Sequence, residues 1–308
     1  MNLNVSSTTQ QYLNNLDYIQ SQMTKAQTEV SSGLAVQQAS DNPGAIQTIF
    51  NDQDSIAMNQ QVQTNLNSAQ SELSTADTAL QSTVSVLQNA ISLAAQGATS
   101  TSTAEERTNI ATQVAGLQQT LVSLSQTSVN GLYIFSGDQD TQPAYQLDSN
   151  QPNGVDQLLT NDTATRTIAD ANGAPIAVAK TAQEIFDAQN PDGSNASGNV
   201  FAAVNSLLTS LQNNDQAGIT QASTDLQTAS DYVNGQLAFY GQAEDNVSSA
   251  LAVAQKFQVQ EKSDLGNVQN ANLPAAALQL TQTQTEQQAA LSVAAKIEQT
   301  PNLFSLLG

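Results

Sequence analysis

Apolar residues recur along most of this sequence at alternating steps of three and four, a spacing that places side chains on one stripe of an α-helix. The first stripe contains Val5, Thr9, Tyr12, Leu16, Ile19, Met23, Ala26 and Val30. Further stripes cover 62–94, 110–124 and 219–257, and another lies between Ala276 and Ile297. Because a 3.6-residue period is incompatible with strands, the pattern predicts a mainly α fold of long antiparallel helices.

The breaks between the stripes divide the chain into segments. The sequence SSGLAVQQASDNPGAI, residues 31–46, interrupts the first stripe at Gly33 and turns at Pro43-Gly44, and 266–274 interrupts the last long stripe. Thr103 and Glu106 have the spacing of a capping box, which predicts that a third helix begins there. The two ends of the chain therefore have the same design, a helix separated by a short break from a longer helix.

A central stretch lacks the helical period. Asn130-Gly131 ends the third helix, and the apolar run Leu132–Phe135 is typical of a short strand. Residues 138–200 are rich in Pro, Gly, Asn and Asp, which predicts an inserted domain of short strands and loops. We therefore expect terminal helices at 1–42 and 270–308, a helical body at 43–137 and 201–269, and this insertion between them.

Composition excludes several functions. The net charge of −20 would repel nucleic acid and anionic membranes, and the absence of Cys and His excludes disulfides, Cys or His zinc sites and Ser-His-Asp triads. The sequence has no phosphate-binding loop and no nucleophile elbow. We read Asp41–Gly44 as a turn rather than a metal loop, and Asp138 and Asp140 as parts of a solvated loop. These observations predict a protein that is not an enzyme and holds no cofactor or metal.

The two ends of the chain carry very little charge. In 1–30 only Asp17, Lys25 and Glu29 are charged, and Gln, Asn, Ser and Thr replace the Glu and Lys that usually flank a solvated coiled coil. Helices need uncharged flanks when several of their faces meet other helices, because a lone buried charge costs several kcal/mol. We therefore predict an assembly interface made of Val5, Tyr12, Leu16, Ile19, Met23, Ala26, Val30, Leu280, Leu291, Ala294, Ile297, Leu303, Phe304, Leu306 and Leu307.

The energetics of the first stripe support the same prediction. Full burial from Val5 to Val30 would contribute on the order of 10 kcal/mol. Ordering the backbone alone costs roughly 1 kcal/mol per residue, so that ordering about 30 residues costs more than this burial contributes. The hypothesis that follows is that both termini are disordered in the free monomer and fold when subunits pack together.

These segments resemble the flagellin superfamily. SSGLAVQQASDNPGAI is similar to its N-terminal signature, in which Gly33 ends a helix and Asp41, Pro43 and Gly44 form the turn into the next. GLYIFSGDQDTQPAY, from Gly131 to Tyr145, and LTQTQTEQQAALSVAAKI near the C-terminus are most similar to the hook-associated protein 3 type within that superfamily. The resemblance leaves 146–200 unaligned, and Tyr145 stands where Phe is common.

The resemblance implies a flagellin-like elongated rod and a structural role at the junction between the bacterial flagellar hook and filament. It implies hook-associated protein 1 and flagellin as partners, self-association in a ring and an export chaperone of the FlgN type. It also implies an extracellular location on the flagellum after export without a cleaved signal peptide, and the N-terminus has no basic region followed by an apolar stretch. Filament flagellin and a free coiled-coil signalling or regulatory module are the alternatives.

Overall fold

The computed structural model describes residues 7–160 and 163–299, and it describes side chains at 10–160 and 163–296. The helices in these ranges are α1 (Ser7–Ser32), α2 (Pro43–Gly97), α3 (Ala104–Ser125), α4 (Ala182–Phe186), α5 (Val200–Gln212), α6 (Gln216–Gln269) and α7 (Leu273–Gln299). The antiparallel strand pairs are β1 (Ser128–Val129) with β2 (Leu132–Tyr133), β3 (Tyr145–Leu147) with β4 (Val155–Gln157), and β5 (Thr167–Ala169) with β6 (Pro175–Ala177). The predicted mainly α fold with a small β region is confirmed.

Two compact units divide the chain. Unit 1 contains the described residues up to Met58 and from Gln258 onward, and unit 2 is Asn59–Phe257. The divisions fall inside the long helices α2 and α6, whereas the sequence predicted segment boundaries at the breaks near 42 and 270. The second break is also shorter than predicted, because Gly266 lies within α6 and only 270–272 separate that helix from α7.

The core of unit 2 is built from the predicted stripes. Fully buried residues include Leu66, Leu73, Leu80 and Leu87 of α2, Val114 and Leu121 of α3, Leu207 of α5, and Ile219, Leu226, Val233 and Val247 of α6. The capping box is confirmed, because the Glu106 N–H donates to Thr103 Oγ1 and the Thr103 N–H donates to a Glu106 carboxylate oxygen. None of the helices in 7–160 and 163–299 offers an apolar stretch long enough to cross a lipid bilayer.

The inserted region is attached to this core by aromatic packing. Phe135, Phe186 and Phe201 form a chain of ring contacts with centroid distances of 5.6 and 5.8 Å. Tyr145 extends the chain, with its ring centroid 5.2 Å from that of Phe201. All four rings are buried, so a protein with few aromatic residues concentrates them where short strands must adhere to helices.

A buried carboxylate organises the same region. Asp187 is 4% exposed, and its Oδ2 accepts hydrogen bonds from the Tyr145 hydroxyl at 3.1 Å and from Gln189 Nε2 at 3.2 Å. Its Oδ1 accepts from Asn153 Nδ2 at 2.9 Å and from Asn199 Nδ2 at 2.7 Å. Four donors thus replace the water that the charge gives up on burial. Two loops and the start of α5 are held together by this one side chain.

Hydrogen bonds hold the loop that contains Asp138 in place. The Asp138 carboxylate accepts hydrogen bonds from the hydroxyls of Thr163 and Thr165 and from the Thr165 N–H. These bonds, that from the Thr165 hydroxyl first, hold the pKa of Asp138 below its usual range. Arg166, the residue after Thr165, forms an ion pair with Glu72 of α2. The strands after this loop are thereby tied to the helical body.

In unit 1, the link between α1 and α2 follows the predicted turn motif. Gly33 ends α1 with φ +75°, a left-handed conformation that residues with a Cβ rarely adopt. The Asp41 Oδ2 accepts hydrogen bonds from the N–H groups of Gln37 and Gln38, both at 3.0 Å. These two backbone bonds are the main reason that the pKa of Asp41 lies below its usual value.

The first turn of α2 completes the motif. The Ala45 N–H donates to Asn42 Oδ1 at 3.3 Å, which places Asn42 at the helix N-cap and Pro43 at the first helical position, where a missing N–H costs nothing. A methyl group at Gly44 would lie 3.6 Å from Asn42 Oδ1, an ordinary contact, and Gly44 has no positive φ. Of the two glycines in the motif, therefore, only Gly33 is required by backbone conformation.

Replacement of the two buried tyrosines by phenylalanine will have different effects. Tyr145→Phe removes a donor from the buried Asp187 and is expected to lower the free energy of unfolding by about 1 kcal/mol. The Tyr240 hydroxyl is buried without a hydrogen-bond partner of good geometry. Burial raises the pKa of this hydroxyl, and the nearby backbone of Lys180 lowers that pKa only in part. Tyr240→Phe should therefore be neutral or stabilising. Chemical denaturation followed by circular dichroism measures both, and equal losses would contradict the assignment.

The two glycines of the turn motif provide a second matched pair. Gly33→Ala forces a Cβ into the left-handed region and is expected to cost about 1 kcal/mol, roughly a fivefold change in the local opening equilibrium. Gly44→Ala lies in the first turn of α2 and should be neutral or slightly stabilising, because alanine favours helix. Amide hydrogen exchange in α1 and at the start of α2 checks both variants.

The Asp41 carboxylate gives the link a pH dependence in acid. Because its folded pKa lies below the ordinary value of 3.8, its contribution is present above that pH and is lost as the pH falls through the folded pKa. We expect the amides of Gln37 and Gln38 to be protected at neutral pH and to lose that protection below the ordinary value, after correction for intrinsic exchange rates. Asp41→Asn is the control, since it keeps an acceptor oxygen but does not titrate. Identical acid profiles for the two proteins would contradict the prediction.

Candidate assembly surface

Those predicted interface residues that the structure describes lie on two helices that pack against each other within unit 1. α1 and α7 form what we call the terminal hairpin, and the Tyr12 hydroxyl of α1 donates a hydrogen bond to the Ala290 carbonyl of α7 at 2.8 Å. Near the other end of the pair, Ala26 and Ala276 are buried to 2% and 4% exposure and line a common cleft of about 210 Å³. The two stripes therefore face one another along the hairpin.

The stripe residues are only partly covered by this pairing. In α1, Tyr12, Leu16, Ile19 and Met23 are half-buried, Ala26 is buried and Val30 is exposed. In α7, Leu280 and Ala294 are half-buried, whereas Leu291 is exposed. A pair of helices can cover only one side of each stripe, so these apolar side chains keep surface that another helix could bury.

The remaining predicted interface residues fall elsewhere. Val5, Leu303, Phe304, Leu306 and Leu307 lie outside the described residues, and the side chain of Ile297 lies outside the described part of α7. The turn-motif residues lie in unit 1 and not on the stripes: Gly33 and Asp41 are in the link between α1 and α2, and Pro43 and Gly44 are the first two residues of α2.

Besides Val30, the terminal hairpin exposes further large apolar residues, most of which were not predicted to lie at the interface. These outer residues are Leu13 and Tyr18 of α1 and Leu278, Leu291 and Val293 of α7, of which only Leu291 was predicted. Tyr18 is 66% and Leu278 68% exposed, although both are large side chains. A signal for them existed, because a helix buried on several sides carries apolar residues off its main stripe and few charges beside them.

Charge is sparse on this surface. Lys25 and Glu29 of α1 form an ion pair one helical turn apart with a 4.0 Å separation, and the Lys25 side chain is 55% exposed. Such exposed pairs contribute little, on the order of 0.3 kcal/mol. Within the described part of the chain, no group of three or more acidic residues is arranged to hold a metal ion. The chemistry that the surface offers is apolar contact and uncharged hydrogen bonding, which suits another protein surface.

Residues 2–140 match the family model of the bacterial flagellin N-terminal helical region. A search of curated protein sequences found no match. The matched segment contains SSGLAVQQASDNPGAI and GLYIFSGDQD, which belong to the stretches that resemble the flagellin superfamily.

Solved structures share the fold at low sequence identity. A Vibrio parahaemolyticus structure described as a flagellar hook-associated protein is 20% identical, with a TM-score of 0.64 over 75% of this chain and 100% of its own. Bacillus cereus FlgL is 16% identical, with a TM-score of 0.57 over 70% of this chain and 99% of its own. The flagellar junction protein FlgL from Legionella pneumophila is 13% identical, with a TM-score of 0.54 over 72% and 98%.

These matches agree with the resemblance based on the turn motif and on the stretch from Gly131 to Tyr145. Residues 2–140 match the model of the bacterial flagellin N-terminal helical region, and the chain shares the fold of these solved flagellar hook-associated proteins.

Proposed function

We propose that this protein is a structural adaptor of the bacterial flagellum that joins hook to filament through its terminal hairpin. The proposal draws on the similarity to FlgL structures, one of which is a flagellar junction protein. It also draws on the flagellin-type N-terminal region. In this role the protein would work by contact alone, without catalysis, and it would be located on the flagellum.

The observation that carries the proposal is the exposed apolar surface of two charge-poor helices. Leu13, Tyr18, Leu278, Leu291 and Val293 project from the terminal hairpin, each between 43% and 68% exposed. Burial of such side chains against a neighbouring subunit would contribute roughly 1 to 2 kcal/mol each. The solvent-facing surface of a helix more commonly carries charged and polar residues.

The partners follow from the junction role. Each subunit would contact hook-associated protein 1 on one side and flagellin on the other, and copies would associate with one another in a ring. An export chaperone of the FlgN type would cover the C-terminal helix before assembly. Export would proceed without a cleaved signal peptide to the extracellular hook–filament junction.

Filament flagellin is the second candidate, because it shares the family match at residues 2–140. Purified protein added to fragments of its own filaments separates the two functions. A flagellin elongates the fragments, whereas a junction protein does not form long filaments. Deletion of the gene provides the cellular test, since loss of a junction protein should leave hooks in place while flagellin escapes into the medium.

A free coiled-coil signalling or regulatory module is the candidate from another class. Such a module would be a soluble dimer with folded terminal helices. Sedimentation combined with circular dichroism tests this candidate, because an adaptor whose termini fold on assembly should be monomeric and should gain helix when it is incorporated.

Substitutions on the two sides of the terminal hairpin test the interface. Leu16→Asp with Ile19→Asp places charges on the half-buried stripe and should abolish incorporation while the core of unit 2 stays folded. Leu278→Ser with Leu291→Ser alters only exposed side chains, and we expect incorporation to fall at least tenfold with unchanged monomer circular dichroism. Incorporation is measured as filaments per cell.

The chain offers a matched control for the exposed pair. Leu147 and Leu158 of unit 2 are 48% and 40% exposed, and Leu147→Ser with Leu158→Ser removes similar apolar area away from the hairpin. This control should incorporate normally. Normal filaments on cells that carry the Leu278 and Leu291 substitutions would refute the proposed interface.

A further inference from the structure

Unit 1 contains two short links, and each hydrogen-bonds to the other. The first link, residues 33–42, joins α1 to α2, and the second, residues 270–272, joins α6 to α7. Leu34 and Asn270 form an isolated antiparallel bridge between them. The Ala35 N–H donates to the Gln269 carbonyl at 2.8 Å, and the Ala271 N–H donates to the Gly33 carbonyl at 2.9 Å.

The bonding pattern defines the geometry of this bridge. Because the two bonds flank Leu34 and Asn270 rather than joining them, these residues form a non-hydrogen-bonded antiparallel pair. In such a pair the Cα atoms lie about 4.5 Å apart and the side chains point to the same face. The Val36 N–H adds a longer bond of 3.3 Å to the Gln269 carbonyl.

An apolar cluster anchors the bridge on the side of the long helices. Val36, Ala45 and Ile49 are buried together, and Leu265 and Val268 of α6 pack against them. On the side of the terminal hairpin, α1 and α7 pack along their stripes and are joined again at Tyr12 and Ala290. The two links thus lie between two contacts that each involve both ends of the chain.

We propose that the bridge is a paired hinge, so that α1 and α7 change direction together and neither terminal helix can be redirected alone. Movement of α1 alone would break the Ala35 and Ala271 bonds, and three residues between α6 and α7 leave little slack to reform them. The ends of α1 and α7 next to the links would therefore enter an assembly together with the bridge intact, while the outer turns of these helices gain order on assembly. The hinge itself does not depend on the proposed function, whereas its persistence during assembly does.

A double-cysteine variant tests the hinge. The chain has no Cys, so Leu34→Cys with Asn270→Cys creates a single possible disulfide, and the pair geometry lies within the range that disulfides accept. We expect the full-length monomer to form this intramolecular disulfide at least tenfold faster than Ser40→Cys with Asn270→Cys, whose first cysteine lies beyond the bridge. Equal rates for the two variants would overturn the proposal.

The oxidised variant then tests whether the bridge persists. Oxidised and reduced forms of the Leu34 and Asn270 variant should be incorporated equally well. If only the reduced form is incorporated, the links must separate during assembly and the paired hinge is refuted for that state. If wild-type protein is not incorporated either, the proposed function fails, while the rates of disulfide formation still decide whether the hinge exists.

A proline substitution provides an independent measurement. Ala35→Pro removes one bridging N–H, and we expect amide exchange at Ala271, on the other link, to become at least tenfold faster. Ala39→Pro is the control, because Ala39 is the second residue of the turn closed by the Asp41 N–H to the Gln38 carbonyl at 3.0 Å, where proline is favoured. Both variants replace an alanine of the same link with proline, and only Ala35→Pro removes a bridging N–H. Unchanged exchange at Ala271 in Ala35→Pro, or no protection of Ala271 in the wild-type monomer, would refute the coupling.

Discussion

The apolar stripes of α1 and α7 are only partly buried against each other, and this constraint limits the stability of the terminal hairpin. The stripe residues Tyr12, Leu16, Ile19 and Met23 are half-buried rather than buried, and Ala26 and Ala276 approach each other beside an open cleft. Small and uncharged side chains allow close helix approach but supply little apolar area per turn. A pair of this kind gains much of its stability only when further helices cover it. In the proposed function, assembly and folding of the ends would therefore be coupled by the same side chains.

Unit 2 obtains its stability differently, from full burial of long stripes and from buried charges held by neutral partners. Arg107 is 6% exposed, and its guanidinium donates to the carbonyls of Gly97 and Thr99 and to Asn214 Oδ1. It thereby joins the end of α2 to the turn between α5 and α6. Asp187 does the same for the inserted loops with amide and phenol donors. A charge that keeps all its hydrogen bonds can be buried without an opposite charge, although its removal would leave several polar groups unsatisfied.

The sequence predicted those features that depend on local periodicity and failed where contacts are distant in the chain. Stripes of period 3.6 predicted the long helices, and the Thr103 and Glu106 spacing predicted the start of α3, because both signals lie within a few residues. The short helix α4 was missed because a five-residue helix has no measurable period, although its own capping box at Thr181 and Glu184 was present in the sequence. Gly266 was read as a break although it lies inside α6, where neighbouring turns override its low helix propensity. The role of Asp187 could not be predicted, since its donors lie up to 42 residues away.

The distribution of charge along the chain fits the proposed assembly through the terminal helices. The net charge is −20, yet residues 1–30 and 273–308 contain only Asp17, Lys25, Glu29, Glu286, Lys296 and Glu298 as charged residues. Packing of many identical acidic subunits would be opposed by repulsion if carboxylates lay at the contacts, because charges in a dehydrated interface are poorly screened. Charges on solvated surfaces are screened over roughly 8 Å at physiological salt and repel neighbours much less. Because most charged residues lie between the terminal helices, the ends of the chain would be able to make close apolar contacts while the remaining charges favour solubility.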